Sequence, residues 1–293
     1  SQRQSVFARR GMVAASQPLA AQAGIEIMQK GGNAIDAAIA TAATLTVVEP
    51  TGCGIGGDAF ALVWCKGQLH GLNGNGHAPA ALSIEAVRAA GHEQMPLYGW
   101  TPVTVPGCPS AWAELSRRFG KLPFAELLQP AISLARDGFA LSPVVAHQWQ
   151  VAVKEFTPHR DAVLETWFDT FLIEGRAPRA GEVFRNPAQA RTLQELADTY
   201  CESLYRGALA ERLDAHSRAS GGYLRASDLR DYRAQWVDPI HVNYRGVDVW
   251  EIPPSGQGLV ALMALKILEG FDFDHRDSQQ TWHRQLEAMK LAY

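Results

Sequence analysis

The chain has 293 residues, 47% of them hydrophobic and 19% charged, with 26 glycines and 16 prolines. That composition suits a globular body of one or two domains with a sizeable core. Its 27 basic and 30 acidic residues nearly cancel, leaving a formal charge of −3 with no run of Lys or Arg, which argues against nucleic acid and anionic membranes as partners.

No apolar run approaches the roughly 18 residues that a membrane span needs. The longest, Ala37 to Val48, is interrupted by Thr41, Thr44 and Thr46 and reads as a buried helix. Ser1 to Arg10 is polar and basic, without the apolar stretch of a signal peptide. Cys53, Cys65, Cys108 and Cys201 are scattered with no CxxC spacing, which argues against a metal site or a disulfide framework. Localisation stays open, with the cytoplasm as first reading and the periplasm as second.

In chain order, Gly11 to Ala15 is a short apolar run that reads as a strand. Ser16 follows as an N-cap, with Pro18 just inside the helix, where a missing N–H costs nothing. Leu19, Ala23 and Ile27 repeat on one face of a helix ending at Lys30, with Gly31 free to take positive φ. Asn33 starts the next helix, Asp36 sits near its positive end, and Glu49-Pro50 stops it.

Ala59 to Cys65 and Gln68 to Leu72 flank Lys66-Gly67, a tight hairpin. Val103 to Val105 reads as a strand, and helices are expected from Pro109 to Phe119 and from Pro123 to Asp137, the second closed by Gly138. Asn186-Pro187 caps a helix that buries Leu193 and Leu196. A second hairpin turns on Arg245-Gly246, between Ile240 to Tyr244 and Val247 to Ile252. Gly258 to Leu268 and Thr281 to Tyr293 read as helices, and the last one stops at Tyr293 without a terminator, which reads as a cut. With no repeat or linker visible, the expectation is an α+β class with antiparallel strands, in a single domain spanning 1–293.

Gly52-Cys53-Gly54-Ile55-Gly56-Gly57 matches GxGxxG literally. A dinucleotide site needs a strand before that motif and a helix after it; here the order is reversed. The glycines Gly54, Gly56 and Gly57 are therefore expected to form a backbone-lined loop beside a pocket. Cys53 has no histidine near it in sequence and reads as a small buried residue. Ser255, after Pro253-Pro254, does not fit G-x-S-x-G and reads as a helix cap. None of the nine histidines forms HExxH. The cluster Asn73-Gly74-Asn75-Gly76-His77-Ala78-Pro79 contains two Asn-Gly pairs, which ordinarily mean turns. It also gathers amide donors and open backbone N–H groups suited to a carboxylate.

Gly31-Gly32-Asn33-Ala34-Ile35-Asp36-Ala37-Ala38 followed by Gly54-Ile55-Gly56-Gly57-Asp58-Ala59-Phe60 resembles the start of the gamma-glutamyltranspeptidase family. The resemblance continues, in the family's order, through Thr104-Val105-Pro106-Gly107, Ala135-Arg136-Asp137-Gly138-Phe139 and Asn186-Pro187. Farther on come Tyr205-Arg206-Gly207, Asp228-Leu229 with Tyr232, Pro253 to Gly258, and Glu287 to Tyr293.

This resemblance implies an αββα sandwich of the N-terminal-nucleophile hydrolase type, made as one precursor. A threonine in the precursor cleaves the bond before it, and its freed amine then serves as base for its own hydroxyl. The acyl group of a gamma-glutamyl amide passes through that threonine to water or an acceptor amine, with a backbone oxyanion hole and no metal or organic cofactor. The present residues match the large subunit alone. The catalytic threonine is absent from them, so the chain by itself is expected to be inactive and to need the small subunit from the same precursor.

One departure bears on substrate. Many members carry an arginine in an Asp-Phe-Arg-Glu-like segment that grips the substrate's alpha-carboxylate. Aligned on Ala78-Pro79-Ala80, that position holds Asn75, with His77 two places on. A charge-assisted bidentate clamp is stronger than a neutral amide contact. Asn73, Asn75 and His77 are thus the expected substrate-binding residues, in a segment closer to the acylase branch, where an arginine often stands at the position of His77. The expected function is a gamma-glutamyl amide hydrolase or transferase, with an acylase of the same family or a non-catalytic scaffold as alternatives.

Overall fold

A computed structural model describes residues 4–161 and 163–293, so the first three residues of the polar Ser1–Arg10 stretch lie outside the described residues. In chain order the elements begin with helices α1 (Pro18–Gln29) and α2 (Ala34–Val48) and strands β1 (Ala59–Cys65) and β2 (Gln68–Gly74). Helices α3 (Ile84–Ala89), α4 (Cys108–Phe119) and α5 (Phe124–Asp137) lead to the short strand β3 (Phe139–Ala140). Then come α6 (Pro143–Phe156), α7 (Glu165–Phe171), β4 (Val183–Phe184), α8 (Pro187–Asp198), α9 (Glu202–Arg206), α10 (Ala208–Ala219) and α11 (Ala226–Arg230). Strands β5 (Gln235–Val237), β6 (Ile240–Tyr244) and β7 (Val247–Glu251) precede α12 (Gly258–Leu268) and α13 (Gln279–Ala292).

These elements group into two compact units: one runs up to Gly57 and resumes from Gly76 to Tyr232, and the other holds Asp58–Asn75 and Arg233–Tyr293. The first is mostly helical and is organised around α2. Asn33 Oδ1 accepts the N–H groups of Ile35 and Asp36 at 2.9 and 3.0 Å, and Asp36 Oδ2 accepts that of Asn33 at 2.9 Å. This reciprocal capping satisfies donors that a helix start leaves without partners. Asp36 is fully buried and also accepts the N–H groups of Lys121 at 3.0 Å and Leu122 at 3.3 Å. One carboxylate thus fixes both the start of α2 and the connection leading into α5.

The small residues Ala37, Ala40 and Ala43 of α2 are buried, and α2 packs against α1 and α5. Helix α5 in turn buries Leu127, Leu128 and Ile132 and packs against α8, whose Leu193 and Leu196 are buried. A second core forms around Trp149, whose ring lies 4.8 Å from that of Phe184 and whose indole N–H donates to the Phe171 carbonyl at 2.9 Å. Edge-to-face aromatic packing of this kind adds to simple burial.

The second unit carries a three-stranded sheet in the order β1-β2-β5 and a β6–β7 hairpin against which α12 packs. The β1–β2 turn places Lys66 at φ 51° and Gly67 at φ 78°. Positive φ at both central positions is the twist-compatible hairpin turn, and the β6–β7 turn repeats it at Arg245 (φ 53°) and Gly246 (φ 86°).

Four expectations are corrected. Gly11–Ala15 forms no strand: Met12 is exposed, and no strand pairs with the run among the described residues. Val103–Val105 is also not a strand, because the Val105 N–H goes to a single carbonyl, that of His77. The cap of α1 is Gln17, whose side chain accepts from Leu19 and Ala20, while the Ser16 hydroxyl donates to the Glu49 carboxylate. Ser255 is not a cap either, since Gln257 holds that position on α12.

Asp36→Ala should lower stability by about 3 kcal/mol, because the part-buried N–H bonds from Asn33, Lys121 and Leu122 lose their shared acceptor together. Urea unfolding of the full-length protein reads this directly; a loss below about 1 kcal/mol would show that the carboxylate is dispensable.

Candidate functional site

In the second unit, Asn73 lies inside β2, paired with Phe60 of β1 and Gln235 of β5. Gly74 pairs with Ala59 as the last residue of β2. The two Asn-Gly pairs therefore make no turn, and none of these four residues has positive φ. For Asn73-Gly74 the cause is plain: pairing within the sheet outweighs local turn preference. Where β2 ends, Asn73 Oδ1 accepts the Asn75 N–H at 2.9 Å. The Asn75 amide nitrogen donates to Ser255 Oγ at 2.9 Å, on the loop preceding α12. Asn75 is thus a neutral, hydrogen-bonded side chain.

From Gly76 onward the chain belongs to the first unit. A Cβ on Gly76 would lie 1.7 Å from the Val105 carbonyl oxygen and 2.7 Å from its carbon, so only glycine fits this backbone-on-backbone contact. The Val105 N–H then donates to the His77 carbonyl at 3.0 Å. The His77 side chain is exposed, and its ring centroid lies 5.7 Å from that of Tyr232. Three residues on, the Ala80 N–H donates to Asp228 Oδ1 at 3.0 Å. His77 therefore sits on a stretch of main chain fixed on both sides.

The glycine loop has helix α2 before it and strand β1 after it, the order that argues against phosphate cradling. Gly57 donates to the Gly54 carbonyl at 3.3 Å, and its own carbonyl accepts from Gly107 and Cys108 at 3.0 and 2.9 Å. That carbonyl caps the start of α4. Ile55 and Gly56 line a cavity of about 620 Å³ with Pro106, Arg191, Glu195 and Leu209. Asn73, Asn75 and His77 are not among the residues lining it.

Cys53 is half-buried, so the reading of it as a small buried residue is corrected in degree; burial first, and the Glu49 carboxylate second, push its thiol pKa up. Both effects favour the unreactive thiol over the thiolate. Among the described residues no group of three His, Cys, Asp or Glu side chains is arranged to hold a metal. Two residues that sequence reasoning gave no role stand next to the segment of residues 77–80, Asp228 and Tyr232. They appear in the sequence as part of a motif, but nothing local connects them to His77, about 150 positions away.

The α+β fold is that of the N-terminal-nucleophile hydrolases of the gamma-glutamyltranspeptidase and acylase type, to whose solved structures it is similar. The chain belongs to the gamma-glutamyltranspeptidase family, whose model, described as Gamma-glutamyltranspeptidase, matches residues 20–293. It is 34% identical to the glutathione hydrolase-like YwrD proenzyme of Bacillus subtilis, over 99% of this chain and 55% of that protein. Identity to the oxamate amidohydrolase proenzyme of Klebsiella pneumoniae is 37%, over 97% of this chain and 54% of that protein. A solved cephalosporin acylase from Bacillus halodurans is 54% identical, with a TM-score of 0.92, over 100% of this chain and 56% of that one. The chain spans about half the length of the curated relatives it matches. The family is one of hydrolases and transferases, acylases among them.

Gly76→Ala should displace the main chain of residues 76–80, since the new methyl meets a carbonyl and not a flexible side chain. Overpacking of this kind costs about 1–3 kcal/mol. The expected outcome is a lowered melting temperature of the full-length protein; an unchanged value would show that the segment moves without cost.

Proposed function

We propose that this chain is the large-subunit part of an autoprocessed amide hydrolase or transferase whose threonine nucleophile lies in a second polypeptide of the same precursor. The hydroxyl of that threonine attacks the amide carbonyl while its own α-amine takes the proton. The amine half of the substrate leaves with a proton, and water or an acceptor amine then releases the acyl group from the threonine ester. Developing negative charge on the carbonyl oxygen is met by fixed backbone donors. No metal or organic cofactor is needed for any of these steps. Of the present residues, Asn73 and Asn75 at the end of β2, and His77 after them in sequence, are read as substrate-binding.

The second polypeptide is supported by the surface of the second unit. Strand β1 lies at the edge of its sheet, and Phe60, Leu62 and Trp64, alternate residues on one face, are 47%, 41% and 71% exposed. Trp282, Leu286 and Tyr293 of the α13 segment are exposed as well. An open edge beside a large apolar face is normally covered in a working protein.

The single observation that carries the choice of substrate is Asn75. With no guanidinium there, the alpha-carboxylate of a gamma-glutamyl group loses a charge-assisted pair, typically worth ~1.5–3 kcal/mol. This favours an acyl group without the alpha-amino and alpha-carboxyl groups, as in a glutaryl amide, and the likeness to the cephalosporin acylase points the same way. The gamma-glutamyl amide is the second reading, supported by the relatives named for glutathione.

Specificity constants for gamma-glutamyl and glutaryl anilides separate the two in the full-length protein. The wild type should prefer the glutaryl compound, and Asn75→Arg should raise gamma-glutamyl turnover by about 10- to 100-fold. A wild-type preference for the gamma-glutamyl compound that Asn75→Arg leaves unchanged would place recognition outside this segment. No turnover of any amide would leave the chain as part of a scaffold.

A further inference from the structure

The imidazole of His77 is exposed, yet it rests on a ring that is not: Tyr232 is 6% exposed, and the two ring planes meet at 40° with centroids 5.7 Å apart. Behind Tyr232 stacks Tyr205, 5.7 Å away at 23°. The Tyr205 hydroxyl is held at both of its functions, donating to the Pro106 carbonyl at 2.7 Å and accepting from the Ser110 N–H at 3.0 Å. Burial pushes its pKa far up, so it stays a neutral donor. On the far side, the Arg206 guanidinium donates to the carbonyls of Arg230 at 2.8 Å and Tyr232 at 3.4 Å, pinning the main chain that carries Tyr232.

The same short segment reaches His77's main chain by a second route. Asp228, buried at 6% exposure, accepts the Arg225 N–H at 2.9 Å with Oδ2 and the Ala80 N–H at 3.0 Å with Oδ1. With Gly76 against Val105 and the His77 carbonyl bonded to the Val105 N–H, the peptide from 76 to 80 has few ways to move. A buried tyrosine stack with hydrogen bonds at its inner end is a rigid platform, whereas an isolated surface histidine samples several rotamers.

We infer that Tyr232 is a positioning residue for substrate recognition: its ring orders the His77 imidazole, while Asp228 fixes the backbone that carries it. This rests on the reading of His77 as a substrate-binding residue. The imidazole so held presents a ring nitrogen to the acyl portion of the substrate, for which a carboxylate or carbonyl oxygen is the fitting group. Tyr232 itself needs no contact with substrate. Its contribution is to remove the rotamer freedom that His77 would otherwise lose on binding.

The test uses the full-length, processed protein with a glutaryl anilide, in the variants His77→Ala, Tyr232→Leu, Tyr232→Phe and His77→Ala/Tyr232→Leu. Tyr232→Leu should raise KM roughly three- to tenfold with kcat little changed, the size expected when one more side chain must be ordered on binding. Tyr232→Phe, which keeps the ring, should restore the wild-type KM. In the His77→Ala background, Tyr232→Leu should add nothing further. A full additional effect there would overturn the inference and leave Tyr232 as a core residue. An unchanged KM in His77→Ala would instead remove the site reading on which the inference rests.

A second measurement needs no Tyr232 variant. The His77 Hε1 proton, identified as the signal missing from His77→Ala, should be displaced by the Tyr232 ring current from its position in the urea-unfolded chain. An undisplaced signal in the native protein overturns the inference whatever the kinetics show.

Discussion

The start of α4 ties three parts of the first unit together, because the N–H donors at it and just before it go to each of them. Helix α4 has no side-chain cap, and Pro109 contributes no N–H. The Gly107 and Cys108 donors go to the Gly57 carbonyl of the glycine loop, and the Ser110 donor goes to the Tyr205 hydroxyl. Just before them, the Val105 N–H takes the His77 carbonyl and the Pro106 carbonyl takes the Tyr205 hydroxyl. Val105, Cys108 and Ser110 are all buried, and donors buried without partners each cost on the order of 1–3 kcal/mol. The glycine loop, the segment that carries His77 and the tyrosine stack are therefore placed by one requirement: that this helix start be satisfied.

That arrangement makes the segment that carries His77 rigid by itself. The main chain from Gly76 to Ala80 is held by a close backbone contact, a carbonyl bond and a buried carboxylate. Preorganised groups contribute most when they need not reorganise on binding. Of the residues proposed to meet substrate, Asn75 offers an amide already bonded to Ser255 and His77 an imidazole. In the proposed function such groups suit neutral or singly charged acyl groups better than the zwitterionic head of a gamma-glutamyl substrate.

Much of the fold was legible because its signals are local. The run Gly31 to Asp36 announces a helix end and a capped helix start, and both form where expected. Lys66-Gly67 and Arg245-Gly246 announce hairpins, and both turns take positive φ. The failures share a different cause. Gly11–Ala15 and Val103–Val105 have strand-like composition, but a strand exists only where a partner does. Asn73 and Gly74 look like turn residues, yet the ladders with Phe60 and Gln235 make them the end of a strand. The second hydrogen-bonding role of Asp36, toward Lys121 and Leu122, and the support of His77 by Tyr232 join positions 85 to 155 residues apart, and nothing in a single sequence connects them. The family motifs were legible as a pattern; the work that Asp228 and Tyr232 do within them was not.

The central claim is that these residues are the large-subunit part of an enzyme whose nucleophile is a threonine freed by self-cleavage. The most direct measurement is the intact mass of the full-length protein after purification, with the new amino terminus sequenced. The account predicts two polypeptides, the smaller beginning with threonine, and a single inactive chain when that threonine is replaced by alanine. A protein that hydrolyses acyl amides while remaining one uncleaved chain would contradict it.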